Sequence, residues 1–491
     1  MATISTSAPP CRLLIGGSWR ESQASQFSEI INPATGESLA RLPHCTREEV
    51  TAAVEAAAAA FPAWSSTPPV ERARVMFRYK QLLEEHLEEL ARQVTQENGK
   101  TLVDARGSVR RGIEVVEFAC GIPTLLAGRT AENVARSVDT MTIRQPLGVC
   151  VGIPPFNFPA MIPLWMFPVA IACGNTFILK PSDKVPLTAM LQVRLLEEAG
   201  LPAGVINVVH GLKDTVDVLL EHPKVKAVSF VGSSAVAKYV YATAAAHGKR
   251  VQAMGGAKNH MVVMPDADMD AAVKGILSSS FGAAGQRCMA GSVLVAVGDA
   301  AEKLLPLLVQ EAAKLRVAPG TEESTDVGPV INTQARERIL GYLEKGTKEG
   351  APLALDGRRK SVPKEGNFVG PSIFDHVRPE MSIAKEEIFG PVLSVMRVST
   401  LDEALDRVNA SSYGNGAVIF TRDGGWAREF STRVQAGMVG VNVGVPAPAG
   451  FFPFAGWKGS FFGTLHANGQ DAVEFFTETK VITSRWEKRE V

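Results

Sequence analysis

From Gly148 to a helix that begins near Ser234, short apolar strands take turns with helices. The strands read VCVGI, TFILKPS, INVVHG and VKAVSFVGS, and helical runs such as LTAMLQVRLLEEAG lie between them. Such alternation is typical of βαβ units, which form a parallel sheet with helices on both faces. A second region of this kind runs from about Met254 to Pro446 and contains the strands SVLVAVGD and LSVMRV. The pattern predicts an α/β fold, and 491 residues exceed what one ordinary core holds, so we expect two or three domains.

Helices precede the first of these regions, and an extended run ends the chain. The Thr46–Glu49 spacing is that of a capping box, which predicts a helix that ends near Trp64. A long amphipathic helix is expected from about Val70 to Glu97, and another from 101 to 118. The closing run TKVITSRW is typical of a strand, and it can pair with the extended run DTMTIRQP near 139–146. This pair predicts a small β element beside the two α/β regions.

Charge and hydropathy exclude several classes of function. Lys plus Arg and Asp plus Glu number 51 each, so no basic field attracts nucleic acid. The longest apolar candidate, Met161 to Cys173, is interrupted by Pro163 and Pro168 and is too short to span a membrane. The first residues, MATISTSAPPCRLL, lack the pattern of a secretion signal or a transit peptide. We expect a cytoplasmic protein that does not act at a membrane.

The metal-binding residue types are dispersed along the chain. The six cysteines form no C-x-x-C pair and have no histidine at metal spacing, and the eight histidines are equally scattered. This distribution is typical of reduced thiols in a reducing compartment rather than of disulfides or zinc. No metal site is predicted.

One cysteine stands in an unusual context. The stretch Phe281 to Gly291 reads FGAAGQRCMAG and follows the helix-like run MDAAVKGILSSS. Small residues allow the backbone and a ligand to approach closely, and a thiolate is a strong nucleophile near neutral pH. A buried, inert thiol is the alternative for any single cysteine. The wording F-x-x-x-G-Q-x-C-x-A resembles the signature around the catalytic cysteine of the aldehyde dehydrogenase superfamily, which makes Cys288 the candidate nucleophile.

A nucleotide site must be argued without the common phosphate-binding fingerprints. The chain contains neither G-x-G-x-x-G nor G-x-x-x-x-G-K-[ST]. Instead, FVGSSAVAKYV places Gly232 and Ser233 between a strand and a helix, where free backbone N–H groups suit a pyrophosphate. FILKPSDK places Lys180 at the carboxyl end of another strand. Taken alone, the first can be a helix cap and the second a surface lysine.

The order of five motifs strengthens the resemblance. PFNFP, LKPSD, FVGSS, GQRCMA and EEIFGPV follow one another as in NAD(P)-dependent aldehyde dehydrogenases, over nearly the whole chain. The resemblance implies that the side chain of Asn157 and the backbone N–H of Cys288 stabilise the oxyanion formed on the substrate. It also implies an NAD site, in which Lys180 with Asp183 holds the adenosine ribose, Ser233 faces the pyrophosphate, and Glu387 with Phe389 seats the nicotinamide ribose. The remaining positions expected at this cofactor are Pro154, Phe156, Lys184 and Gly255. Glu387 alone could equally be a surface carboxylate.

The chain departs from hydrolytic members of the family at one position. Those members carry a glutamate 34 residues before the cysteine, in an E-L-G-G-K run, and it activates water for deacylation. In RVQAMGGAKNH the corresponding residue is Met254, which cannot accept a proton. A thiol ionises far more readily than water and needs a base less, so this departure favours coenzyme A as the acyl acceptor. The alternative is that Met254 is core packing and another carboxylate serves as the base.

Two arginines indicate a substrate with its own acid group. Arg287 adjoins the cysteine, and Arg111 lies in the helical run GSVRRGIEVVEF. A guanidinium can bind a carboxylate through two hydrogen bonds, although a helical arginine is often only a solvated or ion-paired side chain. Together with MGGAKNH and VPAPAGFFPFAGWKGSFFGTLHANG, these runs are similar to the CoA-acylating methylmalonate-semialdehyde dehydrogenases, a branch of the superfamily. In that branch, arginines at the positions of Arg111 and Arg287 recognise the substrate carboxylate.

The resemblance implies a reaction, a domain plan and an assembly. The expected reaction is NAD-dependent oxidation of malonate or methylmalonate semialdehyde through a Cys288 thioester, a step of valine, inositol or β-alanine breakdown. Decarboxylation and transfer to CoA would then give acetyl-CoA or propionyl-CoA. The expected parts are an NAD-binding domain (1–127 and 148–253), a catalytic domain (254–464) and an oligomerisation element (128–147 and 465–491) of a homotetramer. The rivals are a hydrolytic NAD(P)-dependent aldehyde dehydrogenase acting on another carboxylated aldehyde, and a non-catalytic relative.

Overall fold

Strands and helices alternate over most of the structure, a computed structural model that describes residues 8–487. The strands are β1 (Leu13–Ile15), β2 (Ser18–Arg20), β3 (Phe27–Ile31), β4 (Ser38–Pro43), β5 (Thr130–Ala135), β6 (Val138–Pro146), β7 (Val149–Ile153), β8 (Thr176–Leu179), β9 (Ile206–Val208), β10 (Val225–Val231), β11 (Arg250–Met254), β12 (Asn259–Val263), β13 (Gly291–Val297), β14 (Leu353–Leu355), β15 (Ser372–Phe374), β16 (Val392–Val398), β17 (Tyr413–Gly414), β18 (Gly416–Phe420), β19 (Met438–Val441), β20 (Trp457–Lys458), β21 (Phe461–Gly463) and β22 (Thr477–Arg485). The helices are α1 (Arg47–Ser66), α2 (Pro69–Glu85), α3 (Leu87–Asn98), α4 (Leu102–Cys120), α5 (Ile122–Leu125), α6 (Met161–Ala172), α7 (Leu187–Glu198), α8 (Lys213–Glu221), α9 (Ser234–Ala246), α10 (Met269–Phe281), α11 (Ala300–Lys314), α12 (Thr333–Lys348), α13 (Ser382–Lys385), α14 (Leu401–Asn409), α15 (Gly424–Arg433) and α16 (Gly469–Phe475).

The first large sheet has the strand order β2-β1-β9-β8-β7-β10-β11-β21. Its central strands, from β9 to β11, are parallel, and β1 and β21 join it in antiparallel fashion. The chain runs outward from β7 through β8 to β9 and then returns to the other side of β7 with β10. This reversal creates a crevice beyond the carboxyl ends of β7 and β10, the place where open α/β sheets bind ligands.

The second large sheet has the order β14-β15-β16-β13-β12-β18-β19 and is parallel from β15 to β19. The third sheet is small, with the order β22-β6-β5. In it, β22 pairs with β6 along its full length, from Thr477 opposite Pro146 to Arg485 opposite Val138. The predicted α/β fold and the predicted pairing of the terminal strand are therefore confirmed.

Helices cover both faces of the first sheet because its strands alternate in the face to which each side chain points. Cys150 and Phe177 belong to the apolar cluster that also contains α2, α4 and α6. Their neighbours Val151 and Ile178 belong to the cluster on the opposite face, with α1, α8 and α9. A period of two along a strand produces this division.

Among the helices before the first sheet, the predicted start of α1 is confirmed, whereas the predicted length of the next helix is wrong. The capping box at the start of α1 is confirmed, because Thr46 and Glu49 exchange both hydrogen bonds. The single helix expected from Val70 to Glu97 is wrong, because α2 ends at Glu85 and α3 begins at Leu87. His86, between them, leaves the helical conformation (φ −96°, ψ 15°). No glycine or proline stands there to indicate the break in the sequence.

Glu97, near the end of α3, replaces the missing cap of another helix. The residue before α7, Pro186, has no side chain that can accept a hydrogen bond from the helix. Instead, the fully buried Glu97 carboxylate accepts hydrogen bonds from the backbone N–H groups of Leu187 (2.8 Å) and Thr188 (2.9 Å). Burial raises the pKa of Glu97 to about 7, although these donors oppose the shift. The sequence predicted only a helix end at this position.

We expect the substitution Glu97→Ala to lower the free energy of unfolding by about 1–3 kcal/mol, because it leaves the buried N–H of Thr188 and the partly buried N–H of Leu187 without acceptors. A carboxyl group with a raised pKa contributes stability below its unfolded pKa and loses it as the pH rises through its folded pKa. The thermal stability of the wild type relative to Glu97→Gln should therefore fall between about pH 5 and pH 8. Thermal unfolding across this range tests the expectation. The exposed Glu85→Gln is the control, and an equal pH slope in both variants would contradict a special role of Glu97.

Candidate active site

The turn that carries the cysteine is wound in an unusual way. Ala283 (φ 51°), Ala284 (φ 53°) and Gly285 (φ 70°) lie one after another in the left-handed region. A Cβ atom on Gly285 would stand 2.1 Å from the carbonyl oxygen of Gly390, so no other residue fits there. Residues in this conformation persist only where the surrounding structure holds them, and they are frequent at functional sites. The small residues before Cys288 thus have a backbone reason as well as a chemical one.

Two asparagines hold the backbone of the cysteine. The side-chain amides of Asn259 and Asn415 donate to the carbonyl oxygen of Cys288 at 2.8 and 2.9 Å. Both asparagines are buried and stand at the start of β12 and just before β18. The sequence analysis missed them, because an isolated asparagine carries no pattern signal until the fold brings it to its partner.

A cavity of about 770 Å³ extends from the cysteine along the crevice of the first sheet. Its lining includes both predicted catalytic residues and every position predicted at the cofactor: Pro154, Phe156, Asn157, Lys180, Asp183, Lys184, Ser233, Gly255, Cys288, Glu387 and Phe389. The structure thus brings together all the residues that the sequence assigned to this part of the site.

The topology of the two sheets explains why these residues line one cavity. Residues 154–157 follow β7, Lys180 follows β8, Ser233 follows β10 and Gly255 follows β11, so all lie at the carboxyl edge of the first sheet. The residues contributed by the second sheet lie at its amino edge, before the strands begin. Cys288 lies before β13, while Glu387 and Phe389 lie before β16. The cleft is therefore formed where the carboxyl edge of one sheet faces the amino edge of the other.

The start of α9 offers free donors to the cavity. Ser233 is the N-cap of α9, and its side chain makes no capping hydrogen bond. The neighbouring hydroxyl of Ser234 accepts from the backbone N–H of Gly256 (2.9 Å) and donates to the carbonyl of Gly459 (2.7 Å). A helix start with uncommitted N–H groups and a positive dipole end favours a phosphate group.

The loop before β16 of the second sheet contributes a carboxylate and an aromatic ring to the cavity. Glu387 accepts a hydrogen bond from the backbone N–H of Ala257 (2.9 Å), and a Cβ on Gly256 would stand 2.4 Å from its Oε2. Phe389 is left-handed (φ 54°), and its ring meets that of Phe156 edge to face, with centroids 5.8 Å apart. Burial raises the pKa of Glu387, while the Ala257 N–H and Lys258 lower it in part.

Charged side chains of Lys180, Asp183 and Lys184 line part of the same cavity. The ammonium of Lys184 pairs with Asp183 at 3.1 Å. Burial works to raise the pKa of Asp183, but Lys184 and Lys180 outweigh it and hold the pKa below its usual range. Burial lowers the pKa of Lys180 to about 8. A ribose hydroxyl can bind both the lysine donors and the carboxylate acceptor of such a cluster.

Asn157 is buried beside the catalytic turn. Its Nδ2 atom donates to the carbonyl oxygen of Gln286 at 3.1 Å. Because a side-chain amide carries two N–H donors, one remains for an oxygen bound at Cys288.

The surroundings of Cys288 disfavour its thiolate form. Burial raises its pKa to about 12, and the Glu387 carboxylate adds to the shift, while backbone N–H groups and Arg287 oppose it. The ease with which the attacking thiolate forms therefore depends on the charges around the cleft.

We expect the substitution Glu387→Gln to lower the pKa of Cys288, because it removes a negative charge that disfavours the thiolate. The alkylation rate of Cys288 by iodoacetamide at fixed pH then rises, about tenfold for each pH unit of the shift. Alkylation rates measured against pH check this, with the site of modification found by mass spectrometry. The more exposed neighbour Glu386, whose carboxylate binds Tyr342 and Lys345, supplies the control Glu386→Gln. An unchanged profile for Glu387→Gln would show that its charge does not reach the thiol.

A second cavity, of about 370 Å³, meets the cysteine from the other side. One face of α4 lines it with Asp104, Gly107, Ser108 and Arg111, which are spaced one helical turn or less apart. Arg287 lines it as well. The structure thus places both predicted carboxylate-binding arginines in one cavity with the candidate nucleophile.

Each arginine also has an internal partner. Arg287 pairs with Asp104 at 2.5 Å, and both side chains are largely buried. A Cβ on Gly282 would stand 2.6 Å from the Arg287 guanidinium, so the turn is shaped around this side chain. Arg111 pairs with Glu114 at 2.9 Å and donates to the carbonyl of Pro448. The guanidiniums are thereby fixed in place, each with further N–H donors for a ligand.

Met254, the last residue of β11, is buried in an apolar cluster. This cluster also contains Met289, and Cys288 packs against its edge. A thioether in this position accepts no proton, so water receives no base from Met254.

Among residues 8–487, no group of three or more His, Cys, Asp or Glu side chains is placed to bind a metal ion. Within the same residues, no helix is both long and apolar enough to cross a membrane.

Comparison with known proteins agrees with this geometry. The aldehyde dehydrogenase family model matches residues 19–482, and the chain belongs to that family. The predicted family is therefore confirmed.

Two relatives that resemble the chain over nearly its whole length are malonate-semialdehyde dehydrogenases. Malonate-semialdehyde dehydrogenase 1 of Geobacillus thermodenitrificans is 57% identical over 473 residues, which cover 96% of this chain and 98% of the relative. Malonate-semialdehyde dehydrogenase of Halalkalibacterium halodurans is 54% identical over 472 residues, with 96% and 97% covered.

Solved structures resemble the whole chain. Methylmalonate-semialdehyde dehydrogenase of Oceanimonas doudoroffii superimposes with a TM-score of 0.96 at 51% identity and covers 98% of this chain and 99% of its own. A Sinorhizobium meliloti protein, solved with NAD, reaches a TM-score of 0.97 at 47% identity, with 99% of each chain covered.

Proposed function

We propose that the chain oxidises malonate or methylmalonate semialdehyde with NAD and transfers the resulting acyl group to coenzyme A. The observation that carries the proposal is the pair of guanidiniums, from Arg111 and Arg287, in the cavity beside Cys288. A cavity that presents two fixed cations next to a nucleophile suits an aldehyde with its own carboxylate. The names of the malonate-semialdehyde dehydrogenases that are 54–57% identical support the same substrate class.

The first chemical step belongs to Cys288. Its thiolate adds to the aldehyde carbonyl, and the oxygen, which becomes negative, accepts hydrogen bonds from Asn157 and from the backbone N–H of Cys288. Such donors stabilise charge that develops only in the transition state. Arg111 and Arg287 hold the carboxylate of the substrate, which orients the carbonyl toward the sulfur.

The larger cavity fits NAD, because it presents a helix start with uncommitted N–H groups and side chains that can hydrogen-bond a ribose. Ser233 would face the pyrophosphate, Lys180 with Asp183 would bind the adenosine ribose, and Glu387 with Phe389 would seat the nicotinamide ribose. Pro154, Phe156, Lys184 and Gly255 would complete the wall. When bound there, NAD supplies the acceptor for the hydride, and a thioester remains on Cys288.

Decarboxylation and acyl transfer complete the proposed reaction. The bond to the carboxylate breaks, CO2 leaves, and the bonding electrons pass into the thioester carbonyl as an enolate, which takes a proton from solvent. The CoA thiolate then attacks the thioester and releases Cys288. The position of Met254 favours this acceptor, because a thiol ionises without the base that water needs.

One observation favours a second candidate, a hydrolytic aldehyde dehydrogenase that acts on another carboxylated aldehyde. Glu387 lines the same cavity as Cys288, and burial raises the pKa of its carboxylate, which makes it a stronger base than an exposed one. In this candidate, Glu387 would activate water in place of Met254.

The decisive experiment follows NADH formation from methylmalonate semialdehyde with and without CoA. We expect sustained turnover only with CoA, and propionyl-CoA as the product, because the thioester otherwise accumulates after one turnover. The products are identified by mass spectrometry, with acetyl-CoA expected from malonate semialdehyde. Equal turnover without CoA, with a free acid as product, would overturn the acylating proposal and favour the hydrolytic one.

We also propose a homotetramer in the cytoplasm, built from the three predicted parts with boundaries at 127/128, 147/148, 253/254 and 464/465. The apolar side chains of Val481 and Trp486, on and just after the edge strand β22, are 62% and 61% exposed and support association through the small sheet. Analytical ultracentrifugation of the purified chain measures the assembly.

A further inference from the structure

Lys100 lies against the residue that carries the oxyanion donor. Its side chain is only 2% exposed, and its Nζ atom donates to the backbone carbonyl of Asn157 at 2.6 Å. The same Nζ stands 3.9 Å from the centre of the Phe158 ring, a cation–π distance. Lys100 therefore contacts two consecutive residues, one of which is Asn157.

The residues before Lys100 make a further contact with the same loop. Asn98 donates from its side chain to the carbonyl of Phe156 at 3.0 Å, so Asn98 and Lys100 bind consecutive carbonyls. Gly99, between them, is left-handed (φ 90°), and a Cβ there would stand 2.6 Å from Pro329. The backbone is thus fixed where α3 ends, and the two side chains reach the loop after β7 from a rigid base.

A buried cation at this place has a cost that packing alone does not explain. Burial lowers the pKa of Lys100 to about 7, with Asp104 opposing the shift and Arg287 adding to it. A methionine of similar length would fill the volume without this cost. Because a lysine carries N–H donors whether or not it is charged, its contact with Asn157 persists on both sides of its pKa.

We propose that Lys100 is a positioning residue, which aims the side-chain amide of Asn157 at the oxygen formed on the substrate by holding the Asn157 backbone and the Phe158 ring. The inference rests on the aldehyde oxidation proposed above but not on the identity of the acyl acceptor. A donor that is displaced by about 1 Å can lose about a hundredfold in rate, so the effect is measurable.

The experiment measures the rate of the first NADH turnover, before any acyl transfer, in Lys100→Met, Asn157→Ala and the double variant. We expect Asn157→Ala to slow this step by about 10²–10³-fold and Lys100→Met by about 10–100-fold, with KM little changed. The double variant should be no slower than Asn157→Ala, because the two residues act on one donor.

The matched control is Lys249→Met. Lys249 is 6% exposed and also donates to backbone carbonyls, those of His222 (2.7 Å) and Val225 (3.2 Å), but it lines neither cavity. We expect this variant to lose thermal stability and to keep its first-turnover rate. If Lys100→Met slows the step no more than Lys249→Met does, or if the two losses multiply in the double variant, the proposal is wrong.

Two further outcomes remain interpretable. If Asn157→Ala keeps the wild-type rate, Asn157 does not stabilise the oxyanion. The positioning role of Lys100, which depends on that function of Asn157, is then wrong as well. If Lys100→Met does not fold, Lys100→Arg carries the test, since it keeps the charge but moves the donor away from the Asn157 carbonyl. A slower first turnover at unchanged KM supports the proposal, and an unchanged rate overturns it.

Discussion

Replacing Cys288 with alanine is expected to lower kcat for NADH formation by at least about four orders of magnitude, because no other side chain in the cleft can form the thioester. The fold should survive, since the substitution removes one sulfur at the boundary of two cavities. Circular dichroism and thermal unfolding establish that the variant is folded. The loss in kcat is measured with the semialdehyde as substrate.

The control for this substitution is Cys120→Ala, which removes a buried thiol from the end of α4. It should keep the wild-type kcat and KM. A Cys288→Ala variant with near wild-type turnover would contradict the assignment of the nucleophile. A wild-type protein without any dehydrogenase activity would instead favour a non-catalytic relative.

Replacing Arg287 with leucine is expected to reduce kcat/KM for malonate semialdehyde by about thirtyfold or more. Breaking a hydrogen-bonded charge pair that is shielded from water costs about 2–5 kcal/mol, and each 1.36 kcal/mol is a factor of ten. The rate with propanal, an aldehyde without a carboxylate, should change far less. The ratio of the two values of kcat/KM is therefore the measurement.

Two variants separate recognition from structure. Arg110→Leu changes an exposed arginine next to Arg111 on α4 and should leave both substrates unaffected. Asp104→Asn removes the internal partner of Arg287 and should alter thermal stability more than the substrate ratio. Equal losses for both aldehydes in Arg287→Leu would mean that the guanidinium shapes the catalytic turn instead of binding the substrate carboxylate.

The sequence predicted the position of a residue best where that residue follows a strand. The sequence placed Lys180 and Ser233 at strand ends, and the structure brings both to the carboxyl edge of the first sheet, while their roles toward NAD stay predictions. The pairing of β6 with β22 was equally accessible, since both runs are extended and long. Features of this kind can be predicted because they depend on residues that are close together in the sequence.

The sequence could not show what depends on distant partners. Asn259 and Asn415 meet at the carbonyl of Cys288 from places 156 residues apart in the chain. The pairing of Asp104 with Arg287 joins two elements in the same way, whereas Glu114, three residues after Arg111, was within reach of helical spacing. The break at His86 also has no local sign, because the helical periodicity continues through it.

The distribution of the thiols makes the chain a ready reporter of its own cleft. Five of the six cysteines are buried, whereas Cys288 alone is partly exposed to solvent, although burial raises the pKa of its thiol as well. A fluorescent maleimide would therefore attach at a single place without prior removal of the other cysteines. Because that place is the junction of the two cavities, the emission of one dye would respond to ligands that enter from either side.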